Sequence, residues 1–162
     1  MYKRQASQGI LNQDTEITFY FDSKPYKGFL GDTVASALLA NDVQLVGRSF
    51  KYHLPRGILG IGSEEPNALI SVHKGGRVEP NVRATVQEIY QGLIVTSQNS
   101  WPNLKFDALA INDIAARFLS TGFYYKTFMW PPRFWEALYE PLIRRAAGLG
   151  RLDSKIDDDN YD

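Results

Sequence analysis

Cysteine is absent from all 162 residues of this chain. Its absence excludes disulfide bonds, thiol nucleophiles, zinc fingers and iron–sulfur clusters held by thiolates. Because stable disulfides belong to oxidising compartments, a cytoplasmic protein is the simpler expectation. Histidine is almost as scarce: His53 and His73 are the only two, too few for a histidine-rich metal site, and no helical register brings both to one ion.

An excess of charge of either sign is also missing, because 18 Lys and Arg residues balance 18 Asp and Glu residues. No global field therefore concentrates nucleic acid or anionic lipid at the surface. No segment approaches the roughly 18 uncharged apolar residues of a membrane span, and the N-terminus lacks the apolar core of a signal peptide. We expect neither nucleic acid nor membrane as a partner, so any anion must bind locally.

What the chain does contain is 44% hydrophobic and 13% aromatic residues, enough for a globular domain with its own core. Alternating apolar and polar side chains predict a β-hairpin over residues 16–30. Residues 31–33 offer a helix N-cap, and we expect the helix to end near Asn41. Further strands are expected over residues 67–72 and 80–89.

A hairpin followed by a helix and later strands is the order of a β-grasp, an α+β fold in which one helix crosses a mixed sheet. In the C-terminal part, apolar spacing predicts helices over residues 107–119 and 134–147, and Pro141 is expected to end or kink the second. We divide the chain into a flexible N-terminus (1–15), a β-grasp domain (16–100), a helical, aromatic-rich extension (101–150) and an acidic linker or tail (151–162).

Residues 48–70, here called the basic loop, read RSFKYHLPRGILGIGSEEPNALI. Cationic side chains without a nearby acid, followed by glycines, make the loop a candidate anion cradle. It is neither a P-loop nor a dinucleotide-binding motif, because the required glycine spacing is missing, and a solvated surface turn is the alternative. We expect Glu64 and Glu65 to lie in a solvated turn, and His53 to have a surface or hydrogen-bonding role rather than a catalytic one.

No residue of the chain is assigned a catalytic role. The candidate cofactor-binding or interface residues of the basic loop are Arg48, Lys51, Tyr52, His53, Arg56 and Gly57. Aromatic residues are dense over residues 123–139, where stacking on single-stranded nucleic acid is the weaker interpretation because the chain has no net positive charge. Core packing or a protein interface is favoured. The candidate interface residues are Tyr124, Tyr125, Lys126, Phe128, Trp130 and Trp135.

Several long blocks carry a family resemblance: GDTVASALLANDVQLVGRSFKYHLPRGILGIGSEEPNALI, EPNVRATVQEIYQGLIVTSQNSWP, STGFYYKTFMWP and YEPLIRRAAGLGRL. They resemble the N-terminal region of the α subunit of heterotetrameric sarcosine oxidases. The resemblance implies a domain similar to the β-grasp two-iron two-sulfur ferredoxins, followed in the full subunit by a nucleotide-binding region and an aminomethyltransferase-like domain. It also implies an assembly of α, β, γ and δ subunits with NAD, FAD and FMN, which oxidatively demethylates sarcosine to glycine with tetrahydrofolate as one-carbon acceptor.

Two departures from the family pattern shape the expected function. Related oxidoreductases carry cluster-ligating cysteines in the loop after the helix, whereas this chain has none, so we expect no iron–sulfur cluster. The chain also stops before the dinucleotide-binding motif, which suggests a fragment or a split subunit. We therefore expect a non-catalytic domain that binds no cofactor alone. The alternative is a freestanding β-grasp module that binds a protein and has no redox role.

Overall fold

The computed structural model describes residue 11 and residues 13–111 and 131–146. Its centre is a five-stranded mixed sheet, accompanied by a small two-stranded sheet. The strands are β1 (Glu16–Phe21), β2 (Lys24–Phe29), β3 (Gly47–Arg48), β4 (Pro55–Arg56), β5 (Leu69–Lys74), β6 (Arg77–Arg83) and β7 (Ile94–Ser97). Among the residues that the structure describes, the α-helices are α1 (Val34–Ala40) and α2 (Glu140–Ala146), with 3-10 turns at Ala108–Ala110 and Pro132–Phe134 and a π-helical turn at Trp135–Tyr139.

The predicted hairpin is formed by β1 and β2, with Phe21 opposite Lys24. Ile17 and Phe19 are buried on one face of β1, as the alternating pattern predicted. The turn residues Asp22 and Ser23 have φ angles of 48° and 65°, the left-handed pair that matches the twist of a two-residue hairpin. The hairpin is therefore determined by its two turn residues and by the alternation of apolar and polar side chains along β1.

Helix α1 begins and ends where the sequence predicted. The Thr33 hydroxyl accepts a hydrogen bond from the Ser36 N–H at 3.2 Å, and the Ser36 hydroxyl accepts one from the Thr33 N–H at 3.0 Å. This reciprocal cap satisfies two N–H groups that the first turn would leave without partners. At the other end, the Asn41 side-chain amide donates to the carbonyl of Lys27 at 2.7 Å, which ties the helix to β2.

The large sheet has the order β2-β1-β7-β5-β6, and its pairs are antiparallel except for the parallel pair β1 and β7. The buried side of α1 shares one hydrophobic core with the buried positions of the sheet. That core includes Phe19, Phe21, Val34, Ala37, Leu38, Ile70, Val72 and Val95. The mixed sheet that the element order predicted is confirmed.

Of the strand predicted over residues 80–89, residues 80–83 belong to β6, whereas residues 85–89 form no strand, and β7 lies further along the chain. The carbonyls of Ala84 and Gln87 accept from the first two N–H groups of α1 at 2.8 Å each. Residues 84–87 thus complete the start of the helix instead of adding a strand to the sheet. Because these partners lie about fifty positions earlier in the chain, local propensity did not reveal them.

The second predicted C-terminal helix is only partly α-helical. Pro132–Phe134 is a 3-10 turn and Trp135–Tyr139 a π turn, in which the Glu140 N–H bonds to the carbonyl of Trp135. Pro141 has no N–H for the carbonyl four positions earlier, and its ring clashes there, so the wider π spacing before it has a local cause. Of the predicted helix 107–119, the structure describes residues up to 111 and shows a 3-10 turn at Ala108–Ala110. Its remainder, the tail 151–162 and residues 1–10 lie outside the described residues.

Candidate functional site

The basic loop is framed by the small sheet, in which Gly47 lies opposite Arg56 and Arg48 opposite Pro55. The Arg48 N–H donates to the carbonyl of Gln98 at 3.1 Å, directly after β7. The start of the loop is therefore attached to the residue that follows β7. Backbone hydrogen bonds thus fix the point at which the loop begins.

Arg48 is directed into the protein rather than into solvent. Its guanidinium donates to the carbonyl of Leu104 through Nε at 3.2 Å and Nη2 at 2.7 Å. Nη1 donates to the carbonyl of His53 at 3.0 Å. The planar guanidinium can donate in two directions at once. It thereby links residues 48 and 53 of the basic loop to Leu104, which lies after β7.

His53 is buried, with 6% of its surface exposed, and its backbone φ of 54° lies in the left-handed region. Its Nδ1 lies 2.7 Å from Oδ2 of Asp107, whose side chain is fully buried. Oδ1 of Asp107 accepts from the Trp101 N–H at 3.0 Å, so the carboxylate has partners on both oxygens. The contact with Asp107 gives His53 a hydrogen-bonding role. Asp107 lies 54 positions later in the chain, so no sequence spacing indicated the pair.

The other candidate residues of the loop make short-range contacts. Nη1 of Arg56 is hydrogen-bonded to the side-chain oxygen of Asn67. The ammonium of Lys51 lies 4.6 Å from the centre of the Tyr52 ring, a cation–π distance. Gly57 passes so close to the chain that an added Cβ would lie 2.9 Å from the carbonyl oxygen of Gln44. A side chain at this position would displace backbone, which explains the glycine.

A cavity of about 430 Å³ opens beside the small sheet and brings two of the candidate cations together. Its lining includes Arg48 and Arg56, Asn81 and Gln98, and Ile143 of α2. The lining is mixed: Phe50, Pro66 and Leu69 contribute apolar surface beside these hydrogen-bonding groups. Lys51, Tyr52, His53 and Gly57 are not among its lining residues.

Glu65 corrects the expectation of a solvated acidic turn: Glu64 is exposed, but Glu65 keeps only 1% of its surface. Oε2 accepts from the N–H of Leu59 at 2.8 Å and from that of Gly60, and Oε1 from those of Asn67 at 2.8 Å and Ala68 at 3.1 Å. Burial opposes ionisation, but these four backbone donors outweigh it and hold the pKa of Glu65 below its usual value.

The carboxylate of Glu65 therefore organises the second half of the basic loop from inside. Gly60 lies against it, since an added Cβ there would be 3.2 Å from the Cα of Glu65. The Thr85 hydroxyl donates to the carbonyl of Gly62 at 2.6 Å, which closes the turn. Nothing local in the sequence distinguished the buried acid from the exposed one.

Of the predicted aromatic interface residues, Trp135 is described and half-buried at the start of the π turn. The remaining five, Tyr124, Tyr125, Lys126, Phe128 and Trp130, lie outside the described residues. His73, the second histidine, is hydrogen-bonded through Nε2 to the Thr96 hydroxyl at 3.0 Å. In residues 13–111 and 131–146 no three acidic or histidine side chains form a group that could hold a metal ion.

The mixed sheet, helix α1 packed against its core and the long loop after that helix are the features of a ferredoxin-type domain. Residues 14–100 match the 2Fe-2S iron–sulfur cluster binding domain family, and the chain belongs to that family. The α subunit of sarcosine oxidase from Rhizobium meliloti (strain 1021) is 57% identical over 98% of this chain, which spans 16% of that subunit. The corresponding subunit from Corynebacterium sp. (strain U-96) is 40% identical over 57% of this chain and 10% of its own length.

Among solved structures, L-proline dehydrogenase from P. horikoshii is similar at 21% identity, with a TM-score of 0.44, over 57% of this chain and 17% of that one. A likeness of this size carries no argument about function. No helix in the described part of the chain has both the length and the apolar character needed to cross a bilayer.

The residues of this loop do not fit the cluster after which the family is described. The chain has no thiolate to ligate iron. The inward N–H groups of Leu59, Gly60, Asn67 and Ala68 already converge on the carboxylate of Glu65. In this ferredoxin-type domain, the buried carboxylate of Glu65 therefore lies at the centre of the loop.

Proposed function

We propose that this chain is the N-terminal, non-catalytic domain of a sarcosine oxidase α subunit. The observation that carries the proposal is the 57% identity to the Rhizobium meliloti subunit over 98% of the chain. The chain spans about one sixth of that relative, so the activity belongs to the whole assembly. The domain's contribution is structural: it supplies a folded unit and contact surfaces, and holds no reacting group.

The assembly proposed is a cytoplasmic heterotetramer in which the remainder of the α subunit and the β, γ and δ subunits are the partners. It demethylates sarcosine oxidatively to glycine in sarcosine catabolism, with tetrahydrofolate as one-carbon acceptor and with NAD, FAD and FMN bound by other parts. Within it, residues 16–100 form a β-grasp domain and residues 101–150 a helical, aromatic-rich extension. Tyr124, Tyr125, Lys126, Phe128, Trp130 and Trp135 face other subunits or domains.

The basic loop is proposed to face the rest of the enzyme, near a cofactor phosphate or a neighbouring domain. Support comes from the cavity of about 430 Å³, which Arg48 and Arg56 both line. Lys51 and Tyr52 remain half-buried at the surface, where they are accessible to a neighbour. His53 and Gly57 hold the shape of the loop rather than contact a ligand, because one is buried against Asp107 and the other against the Gln44 carbonyl.

Co-purification tests the proposal. The chain, tagged and expressed in its own host, is expected to bring down the other sarcosine oxidase subunits together with bound flavin and NAD. The isolated chain is expected to retain no flavin and to show no sarcosine oxidation. Sarcosine turnover by the isolated chain, or capture of no oxidase subunit, would refute it.

A further inference from the structure

Residues 57–62, here called the tip of the basic loop, present two large apolar side chains to solvent. Ile61 is 93% and Leu59 75% exposed, the highest values among the large hydrophobic residues that the structure describes. Ile58, the third apolar side chain of the tip, is instead partly buried and packs against the core. The outward side chains thus contribute nothing to the core of this domain.

The tip is held in one conformation. Oε2 of Glu65 accepts from the N–H groups of Leu59 and Gly60, and the Thr85 hydroxyl fixes the carbonyl of Gly62 at 2.6 Å. Because its backbone is already ordered, a partner that covers Leu59 and Ile61 immobilises little additional chain. Preorganisation of this kind favours affinity, because binding then costs less conformational entropy.

The charge pattern also suits an interface. The tip contains no charged residue, while Arg56 precedes it and the exposed Glu64 follows it. An apolar centre with a charged rim is the usual anatomy of a protein contact, since apolar groups are desolvated at little cost and the charges stay hydrated.

The size of the tip indicates which partner covers it. A stable contact between separate proteins buries roughly 800 Å² on each partner, much more than two side chains supply, so a second copy of the chain is disfavoured. A neighbouring domain of the same polypeptide needs a smaller contact, because the linkage raises its effective concentration. The Rhizobium meliloti subunit has five sixths of its length beyond the region matched here.

We propose that Leu59 and Ile61 anchor this domain in an apolar recess on the remainder of the α subunit, with Glu65 as the residue that positions them. The inference rests on the proposed function. It assigns the tip of the basic loop a docking role, separate from any contact made at the cavity that Arg48 and Arg56 line.

Hydrogen exchange on the complete oxidase assembly tests the proposal. Amides in a peptide covering residues 57–64 are expected to exchange about tenfold or more slowly in the assembly than in this chain alone. The double substitution Leu59→Ser, Ile61→Ser is expected to abolish that protection. The matched control is Leu30→Ser with Val86→Ser, at two positions that are each 54% exposed and lie outside the tip; it should leave the protection unchanged.

The outcomes separate the two proposals. Equal exchange of the tip in the free chain and in the assembly overturns the docking inference and leaves the proposed function standing, and this comparison needs no substitution. Failure of the unaltered chain to join the oxidase subunits overturns the proposed function itself. A concentration-dependent dimer of the chain, lost on Ile61→Ser in sedimentation, would assign the tip to a second copy and also overturn the inference.

Discussion

Substitution of Glu65 by glutamine tests the role of the buried carboxylate most directly. Each carboxylate oxygen accepts from two backbone N–H groups. In Glu65→Gln one oxygen becomes an NH₂ group, which faces two donors and accepts from neither. Hydrogen bonds to a charged group are worth about 1.5–3 kcal/mol each, so the loss of two predicts a fall of about 3 kcal/mol or more in the free energy of unfolding.

Urea denaturation at pH 7 measures this loss, and Glu64→Gln is the matched control. Glu64 is exposed, so its substitution should change stability by less than about 0.5 kcal/mol. A Glu65→Gln protein whose stability lies within that same margin of the unaltered chain would refute the role of the carboxylate. Since domains of this kind are stable by only about 5–15 kcal/mol, the expected loss is a large share of the total.

The same pair of proteins gives a pH test. The folded-state pKa of Glu65 lies below its ordinary value of 4.5, so the carboxylate stabilises the fold fully above that pH. The stabilisation disappears as the pH falls through the lower, folded-state pKa. The stability difference between the unaltered chain and Glu65→Gln should therefore be constant above about pH 5.5 and shrink in acid. A difference that grows with acidification would contradict the sign of this shift.

Three further predictions concern the framework around the loop. His53→Ala removes a partner from the buried carboxylate of Asp107 and should lower stability by about 1–3 kcal/mol in urea titrations, whereas no change would mean that water replaces the ring without loss. Gly28→Ala should lower the free energy of unfolding by about 1–3 kcal/mol, because the new Cβ would lie 2.5 Å from Cδ1 of Ile89. Adding Ile89→Val, which removes that methyl group, should recover part of the lost stability. If it recovers none, the strain lies elsewhere. Thr33→Ala should lower the melting temperature through the loss of about 1 kcal/mol of capping, with Thr33→Ser expected to retain most of it.

Sequence information determined those parts of the fold whose causes are local. The hairpin followed from alternation and turn residues, and helix α1 from the Thr33 cap, because each depends on residues within a few positions. The pairing of β1 with β7 joins residues more than seventy positions apart, so propensity alone gave no sign of it. Residues 84–87 were misassigned for the same reason, since their partners are the N–H groups of α1.

The position of the candidate site in the chain could be predicted from the sequence, but the contacts of its residues could not. Glycines and cations identified the basic loop as unusual, and the structure brings Arg48 and Arg56 to one cavity there. The partners that define their chemistry, the Leu104 carbonyl for Arg48 and Asp107 for His53, come from a segment about fifty residues away. Glu65 and Glu64 are chemically identical neighbours, and only the folded loop decides which of them is buried.

The carboxylate of Glu65 at the centre of the loop also affects how this domain matures after synthesis. A ferredoxin-type loop organised by a cluster depends on iron supply, on assembly machinery and on protection from oxygen. In this chain the organising anion is the side chain of Glu65, which is present as soon as the polypeptide is synthesised. Neither a chelator nor an oxidant removes it. The shape of residues 57–68 is thereby independent of the metal status of the cell.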